Sequence, residues 1–466
     1  MIVRLIRLLL AAFYREIGVA GLERLPRGRP LLLVANHVNA LVDPLLVLGT
    51  LPVRARFLAK HTLWKMPGLG PLLDVGGAIP VYRRQDEGGD AGRNVEAFAK
   101  CHEELAAGGA VALFPEGVSH NLPGLQPLKT GAARIALEAE ERFGGQPHGG
   151  SGEREAGGGL GVRIVPVGLI FDVRPRFRSR AFVQVGEPID PAPELAAFRA
   201  AAAGGDDAGA RAAAVRALTA RIDAGLRAAT LNYASWEEAR LIARAAELIG
   251  RPGLELPGRR SLEEGIELRR ALLAGYRELA ERCPEKVAAA AEAVRRYDRL
   301  LRALGLRDDQ VAARYPPAGV ARFIGHTLLR LLVHLPVALV GTVLNALPYL
   351  LVTAIARRFR HAPDQVATWK VFPSLFVYPL CWLAQGIALG AGLGRPGLGA
   401  LATVAAPFTG YAALRFHETR LNFAREARAY LLLRRRGDLA GELRMMREEV
   451  YRQVQGLVEE YQAVSK

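Results

Sequence analysis

The residues best equipped for acid–base chemistry are His37 and Asp43, in the run Asn36-His37-Val38-Asn39-Ala40-Leu41-Val42-Asp43-Pro44 that follows the apolar stretch LLLVA. A histidine accepts a proton near neutral pH, and a carboxylate on its other ring nitrogen fixes the tautomer and stabilises the cation that forms. Side chains at this offset do not share a face of a regular helix, so the two meet only if His37 lies in the loop ahead of one. Asp43-Pro44 supplies such a start, with Asp43 at the N-cap and Pro44 at the first helical position. The same residues also fit a plainer arrangement, in which Asp43 only caps the helix and His37 is an ordinary loop histidine.

Three further groups carry polar chemistry or border it. Gly77-Ala78-Ile79-Pro80-Val81-Tyr82-Arg83-Arg84 ends a strand-like run with two guanidinium groups. These suit bidentate contact with phosphate, and would equally serve as a solvated strand end. Phe114-Pro115-Glu116-Gly117-Val118-Ser119-His120-Asn121 follows the apolar AVAL. Its glycine and small polar residues let backbone donors approach a ligand, and Glu116 offers a carboxylate to hydroxyls or to an arginine. An ordinary strand-to-loop turn would use the same Pro115 and Gly117. Ile164-Val165-Pro166-Val167-Gly168 is an apolar strand interrupted by proline, which predicts an edge or a groove wall and has no chemistry of its own.

Other chemistries lack their residues. No GxSxG elbow occurs, and Ser119 does not stand in one. Cys101, Cys283 and Cys381 form no CxxC pair and have no metal-ligand spacing with histidine. Neither a disulfide framework nor a metal site is expected, and a reducing, cytoplasmic-facing location fits.

The elements that must position these groups are legible as a pattern. The runs LLLVAN, RFLAK, GGAIPVY, AVALFPEG, VRIVPVGLIF and AFVQVGEPI alternate with helical stretches, which predicts an α/β domain. We place that domain at residues 21–235, with a glycine-rich surface loop at 142–160. Ala200–Ala214 reads as a weak helix or a linker. Residues 236–320 turn charged and helical, with Ser261 and Glu264 in capping-box spacing after a break at Pro252 and Pro257. Residues 416–466 form a charged helical tail, expected to pack or to rest on a membrane surface.

Lys and Arg number 62 against 46 Asp and Glu, a formal charge of +16 that favours an anionic partner. The basic residues are interleaved with acids and no recognition motif appears, so nucleic acid is not the expected partner. Residues 1–20 read as an amphipathic helix lying on a membrane, or as a helix packed on the protein's own core. Within 321–415, Leu331–Ala356 and Val371–Gly394 contain no Asp, Glu, Lys or Arg, and Gly397–Leu414 is similar but shorter. These are membrane candidates, with a buried helical core in a soluble domain as the competing reading. Arg357, Arg358, Arg360 and Lys370 should stay cytoplasmic under the positive-inside bias. That predicts a re-entrant first segment broken near Asn345 and Pro348, then a hairpin turning at Gly394–Pro396.

Taken in order, NHxxxxxDP, GxIPVYRR, FPEGVSH and IVPVG resemble the four blocks of the glycerol-phosphate and lysophospholipid acyltransferase family, over roughly residues 17–192. The resemblance implies a strand-rich α/β acyltransferase domain, with a mixed sheet flanked by helices; the helical region and the apolar, membrane-associated helical C-terminal region expected after it rest on composition. The resemblance implies His37 as general base, Asp43 as its orienting carboxylate, and Arg83, Arg84, Glu116, Gly117 and Ser119 as acceptor-binding residues. Pro166 would stand on the acyl side. No cofactor is implied; acyl-CoA or acyl carrier protein would be a co-substrate and a glycerol-phosphate the acceptor, at the cytoplasmic face of a lipid membrane. Most of the family has four residues between the His and the Asp, whereas this chain has five. That spacing, with FPEGVSH, LKTGAARIAL and the apolar C-terminal region, is similar to the fungal glycerol-3-phosphate and dihydroxyacetone-phosphate acyltransferases. A lysophosphatidate acceptor is the alternative, and a non-catalytic membrane scaffold would need none of His37, Asp43 and Glu116.

Overall fold

The computed structural model describes residues 2–66, 68–82, 94–144, 160–172, 177–203, 205–250, 261–358 and 366–464. Its contacts divide the chain into two compact units, the first Met1–Asn232 with His361–Thr368 and the second Tyr233–Arg360 with Trp369–Lys466.

The first unit is built on a seven-stranded sheet of β1 (Glu16–Ala20), β2 (Leu31–Ala35), β3 (Ala55–Lys60), β4 (Ile79–Val81), β5 (Ala110–Leu113), β6 (Arg163–Phe171) and β7 (Arg180–Val185), in the order β1-β7-β6-β2-β5-β3-β4. Neighbours run parallel except β6 and β7, so the sheet is mixed. The central β2 is buried along its whole length, as an all-apolar strand covered on both faces must be.

Side-chain alternation sorts the core into two layers. Leu32, Val34, Leu113 and Ile164 pack with α4 (Asn94–Ala106), α5 (Gly131–Phe143), α6 (Ala192–Ala202) and α7 (Asp207–Ala229). Leu33, Ala35, Ala112, Val165 and Val167 face the other way, toward Val47 of α2 (Val42–Thr50). The chain therefore leaves β2 on one face of the sheet and β5 on the other. The carboxyl ends of two adjacent parallel strands whose connections diverge in this way are where ligands of open α/β sheets bind.

The expected 1–20 helix is shorter. It is α1 (Ile2–Phe13), whose buried Ile6, Leu10 and Phe13 pack inward while Leu5 and Leu8 stay exposed. The residues after it form β1, because Ile17 and Val19 fit a strand and pair along β7. A short α3 (Leu69–Val75) precedes β4. The weak-helix-or-linker stretch is mostly helix, divided between α6 and α7, whose N-cap Asp206 accepts from the Gly209 N–H at 2.9 Å. Most of the expected loop at 142–160 lies outside the described residues.

The second unit is helical: α8 (Trp236–Ile249), α9 (Leu262–Arg282), α10 (Pro284–Leu304), α11 (Asp308–Ala312), α12 (Pro317–Arg358), α13 (Val366–Gly392, part of this unit from Trp369), α14 (Pro396–Arg435) and α15 (Gly437–Val464). Ser261 caps α9 through the Glu264 N–H at 3.3 Å. The helices α12, α13 and α14 are long and apolar enough to cross a membrane. The expected break near Asn345 and Pro348 does not occur, and α12 continues through both. Asn345 instead bonds inside the bundle: Nδ2 donates to the carbonyls of Gly341 and Ala406, and Oδ1 accepts from Trp382 Nε1 at 3.0 Å. An amide fully engaged by neighbouring helices need not interrupt its own. The turn between α13 and α14 falls at the expected glycine and proline, with Gly394 at φ +62.

Candidate active site

His37 sits just beyond the carboxyl end of β2, in the loop before α2. Its Nδ1 lies 2.9 Å from Asp43 Oδ2, an oxygen that also accepts the N–H groups of Val38 at 2.8 Å and Asn39 at 2.7 Å. Asp43 is fully buried, so its charge is held by these donors rather than by water. The helix begins at Val42, so Asp43 and Pro44 lie inside its first turn rather than at the cap and first position. The carboxylate therefore turns back into the loop, and the loop absorbs the extra residue between histidine and aspartate. Ala40, at φ +36, marks the tight turn that does so.

The imidazole is fixed at one face and at one nitrogen. One face stacks on Phe114, with centroids 4.0 Å apart and planes 9° from parallel. With Nδ1 donating to the carboxylate, the Nε2 lone pair is left to accept a proton. The neighbouring Asn39 amide donates to Tyr14 Oη at 3.3 Å, tying the loop to the residue that follows α1. Burial, reinforced by the Asp43 charge, holds the Tyr14 phenol well above its ordinary pKa.

Glu116 follows β5 and reaches across to the same loop. Its Oε1 accepts the His37 N–H at 2.6 Å, and its Oε2 accepts the Gln126 N–H at 2.7 Å and lies 2.6 Å from His120 Nε2. Gly117 adopts φ +75, and the Lys129 side chain occupies the space where a Cβ there would stand. The Lys129 N–H donates to the Pro115 carbonyl at 2.8 Å, placing that exposed ammonium beside the same loop.

Residues 16–170 match the family model described as Acyltransferase, and residues 255–463 match the one described as the Glycerol-3-phosphate acyltransferase 2 C-terminal domain. The chain thus carries an acyltransferase-family domain over residues 16–170, followed by a region similar to the C-terminal domain of glycerol-3-phosphate acyltransferase 2 over residues 255–463. It is 26% identical to the glycerol-3-phosphate O-acyltransferase 2 of Saccharomyces cerevisiae, over 64% of this chain and 38% of that one. It is 23% identical to the glycerol-3-phosphate O-acyltransferase 1 of the same yeast, over 81% of this chain and 59% of that one. A 1-acyl-sn-glycerol-3-phosphate acyltransferase of Borreliella burgdorferi is 30% identical over 26% of this chain and 47% of its own length. The chain thus spans less than two thirds of the length of each of these relatives.

Within the acyltransferase domain the structure brings His37, Asp43, Glu116 and Gly117 together, with Ser119 half-buried in the loop beyond them. Arg83 and Arg84 lie outside the described residues; the strand before them, β4, ends at the same edge of the sheet. Pro166 belongs neither to an edge nor to a groove wall. It is buried in β6, an interior strand between β7 and β2, opposite Val34. Its ring fills the space beside Gly225 of α7, and its carbonyl accepts the Gly186 N–H at 2.8 Å, so its surroundings are core. Sequence reasoning missed Asn36, Phe114, Tyr14 and His120. Of these only His120 had a signal, its place four residues after Glu116.

Proposed function

We propose that the chain is an O-acyltransferase that moves a fatty acyl group from acyl-CoA or acyl carrier protein to a hydroxyl of glycerol 3-phosphate or a related glycerol-phosphate. The observation that carries this reading is the His37–Asp43 contact at 2.9 Å, with Nε2 left as the proton acceptor. The acceptor hydroxyl gives its proton to His37 Nε2 as its oxygen bonds to the thioester carbonyl carbon. The tetrahedral oxyanion then collapses, the C–S bond breaks, and the thiolate takes the proton back from the imidazolium. Asp43 stabilises that cation and holds the ring. A thioester is already activated, so a base, two oriented substrates and donors for the oxyanion suffice, without a covalent enzyme intermediate.

Arg83, with Arg84 beside it, binds the acceptor phosphate, and Gly117 and Ser119 line the acceptor side. The chain works at the cytoplasmic face of a membrane, held through α12, α13 and α14, with Leu5 and Leu8 of α1 against the lipid. The two yeast relatives and the C-terminal family match support glycerol 3-phosphate as acceptor; the bacterial relative keeps lysophosphatidate as the second reading.

The test is an assay of membranes containing the chain, offering glycerol 3-phosphate, dihydroxyacetone phosphate and lysophosphatidate in parallel with one acyl thioester. Transfer to glycerol 3-phosphate that vanishes in His37→Ala supports the reading. Transfer to lysophosphatidate alone selects the second, and no transfer from a folded, membrane-bound chain points to a scaffold.

A further inference from the structure

The Glu116 side chain is fully buried and both of its oxygens are taken. Expected from sequence to meet acceptor hydroxyls, it instead faces the main chain of His37. His120 completes the arrangement. The Leu122 N–H donates to His120 Nδ1 at 3.1 Å, which places the ring proton on Nε2, so His120 donates to Glu116 Oε2. The main-chain N–H of His120 in turn donates to the His37 carbonyl at 3.1 Å. The residue carrying the base is therefore held at its N–H by Glu116 and at its carbonyl by His120, and the two holders are bonded to each other.

We propose that His120 is a positioning residue for acyl transfer, acting with Glu116 as a clamp on the main chain of His37. The inference rests on the acyl-transfer reading. It assigns Glu116 to holding the base rather than to holding the acceptor. His37 must reach Asp43 with one nitrogen, lie flat on Phe114, and aim the other nitrogen at a hydroxyl. A rotation of its peptide breaks all three alignments at once. Misplacement of a reacting group by about 1 Å can cost on the order of 100-fold in rate, with substrate affinity spared.

The experiment measures kcat and KM for both substrates in membranes carrying His120→Leu, His120→Gln, Glu116→Gln, and the double variant that combines His120→Leu with Glu116→Gln. His120→Leu removes the donor to Oε2 and should lower kcat about 10-fold or more, with each KM within about twofold of wild type. His120→Gln, whose amide can still donate, should recover most of the loss. The double variant should be no slower than the worse single one, since both act through one clamp. Should His120→Leu fail to fold, Leu122→Pro decides, because it withdraws the N–H from His120 Nδ1 while leaving Glu116 untouched. It should lower kcat and spare KM. A raised acceptor KM with kcat intact would overturn the proposal and return Glu116 to the acceptor, and unchanged kinetics in the leucine variant would overturn it outright. If the wild type transfers to none of the acceptors, the acyl-transfer reading fails first, and the clamp falls with it.

Discussion

The side chain of Asn36 and the main chain of Leu169 exchange two hydrogen bonds, Nδ2 donating to the Leu169 carbonyl at 3.0 Å and the Leu169 N–H donating to Oδ1 at 2.7 Å. The strand β2 has ended one residue earlier, whereas β6 runs on to Phe171. The carboxamide thus extends the ladder at the point where the main chain turns away to present His37. Asn36→Ala strands a buried donor and a buried acceptor, at a cost of about 1–3 kcal/mol for each group left unpaired. A lowered unfolding midpoint, with activity lost in parallel, is the expected result. A variant that melts with the wild type would show that water replaces the amide.

Asp43→Asn separates orientation from charge. Its side-chain oxygen can still accept the Val38 and Asn39 N–H groups and face His37 Nδ1, so the loop keeps its shape. The negative charge opposite the imidazolium is gone. We expect kcat to fall about 100- to 10,000-fold with little change in acceptor KM. Near-wild-type turnover would mean that the carboxylate only shapes the loop.

The sheet was readable because its strands are short apolar runs at regular spacing, and five of the expected runs hold strands with only their ends trimmed or shifted. GGAIPVY yields just Ile79–Val81, since Gly77, at φ +65, still belongs to the turn before it. The strand β1 escaped because EIGVA is too brief and too weakly apolar to stand out; it exists through its pairing with β7, which local sequence does not carry. Proline in IVPVG suggested an edge, yet Pro166 is interior, its ring seated beside Gly225. Within the site, the types and order of His37, Asp43 and Glu116 were legible. What each carboxylate touches was not, because Glu116 reaches His37 only after β2 and β5 pair in parallel. The helix α12 was misjudged for a related reason: Asn345 looked like a break in isolation, and its remaining amide bonds come from two other helices.

His102 gives the first unit a pH-dependent term. It is 1% exposed on α4, its ring nitrogens have no hydrogen-bond partner, and Glu138 Oε2 is 3.7 Å from Nε2. Burial lowers its pKa below the ordinary 6.5, with Glu138 opposing and Arg142 adding to the shift. Below pH 6.5 the unfolded chain binds a proton that the folded chain resists, so stability falls as pH drops from there through the lowered folded value. Replacement by Phe should flatten this limb of a stability-against-pH curve. An identical slope in the variant would assign it to other groups.

In the second unit, Arg447 of α15 makes two hydrogen bonds to Asp308 of α11, at 2.9 and 3.1 Å, and a third to the Leu248 carbonyl of α8 at 3.2 Å. Tyr297 of α10 donates to the same carboxylate at 2.9 Å, and both charged residues are buried. Four helices therefore converge on one ion pair. Removing either partner leaves an uncompensated charge in the interior, so Arg447→Leu or Asp308→Leu should each destabilise the unit by about 3–5 kcal/mol. Removing both takes the charge away along with its partner, and an apolar pair of similar volume can be close to neutral. The double variant should therefore melt nearer to wild type than either single one, by denaturant titration in detergent. If the two losses simply add, the pair is not the unit of stability, and the Leu248 and Tyr297 bonds carry the convergence instead.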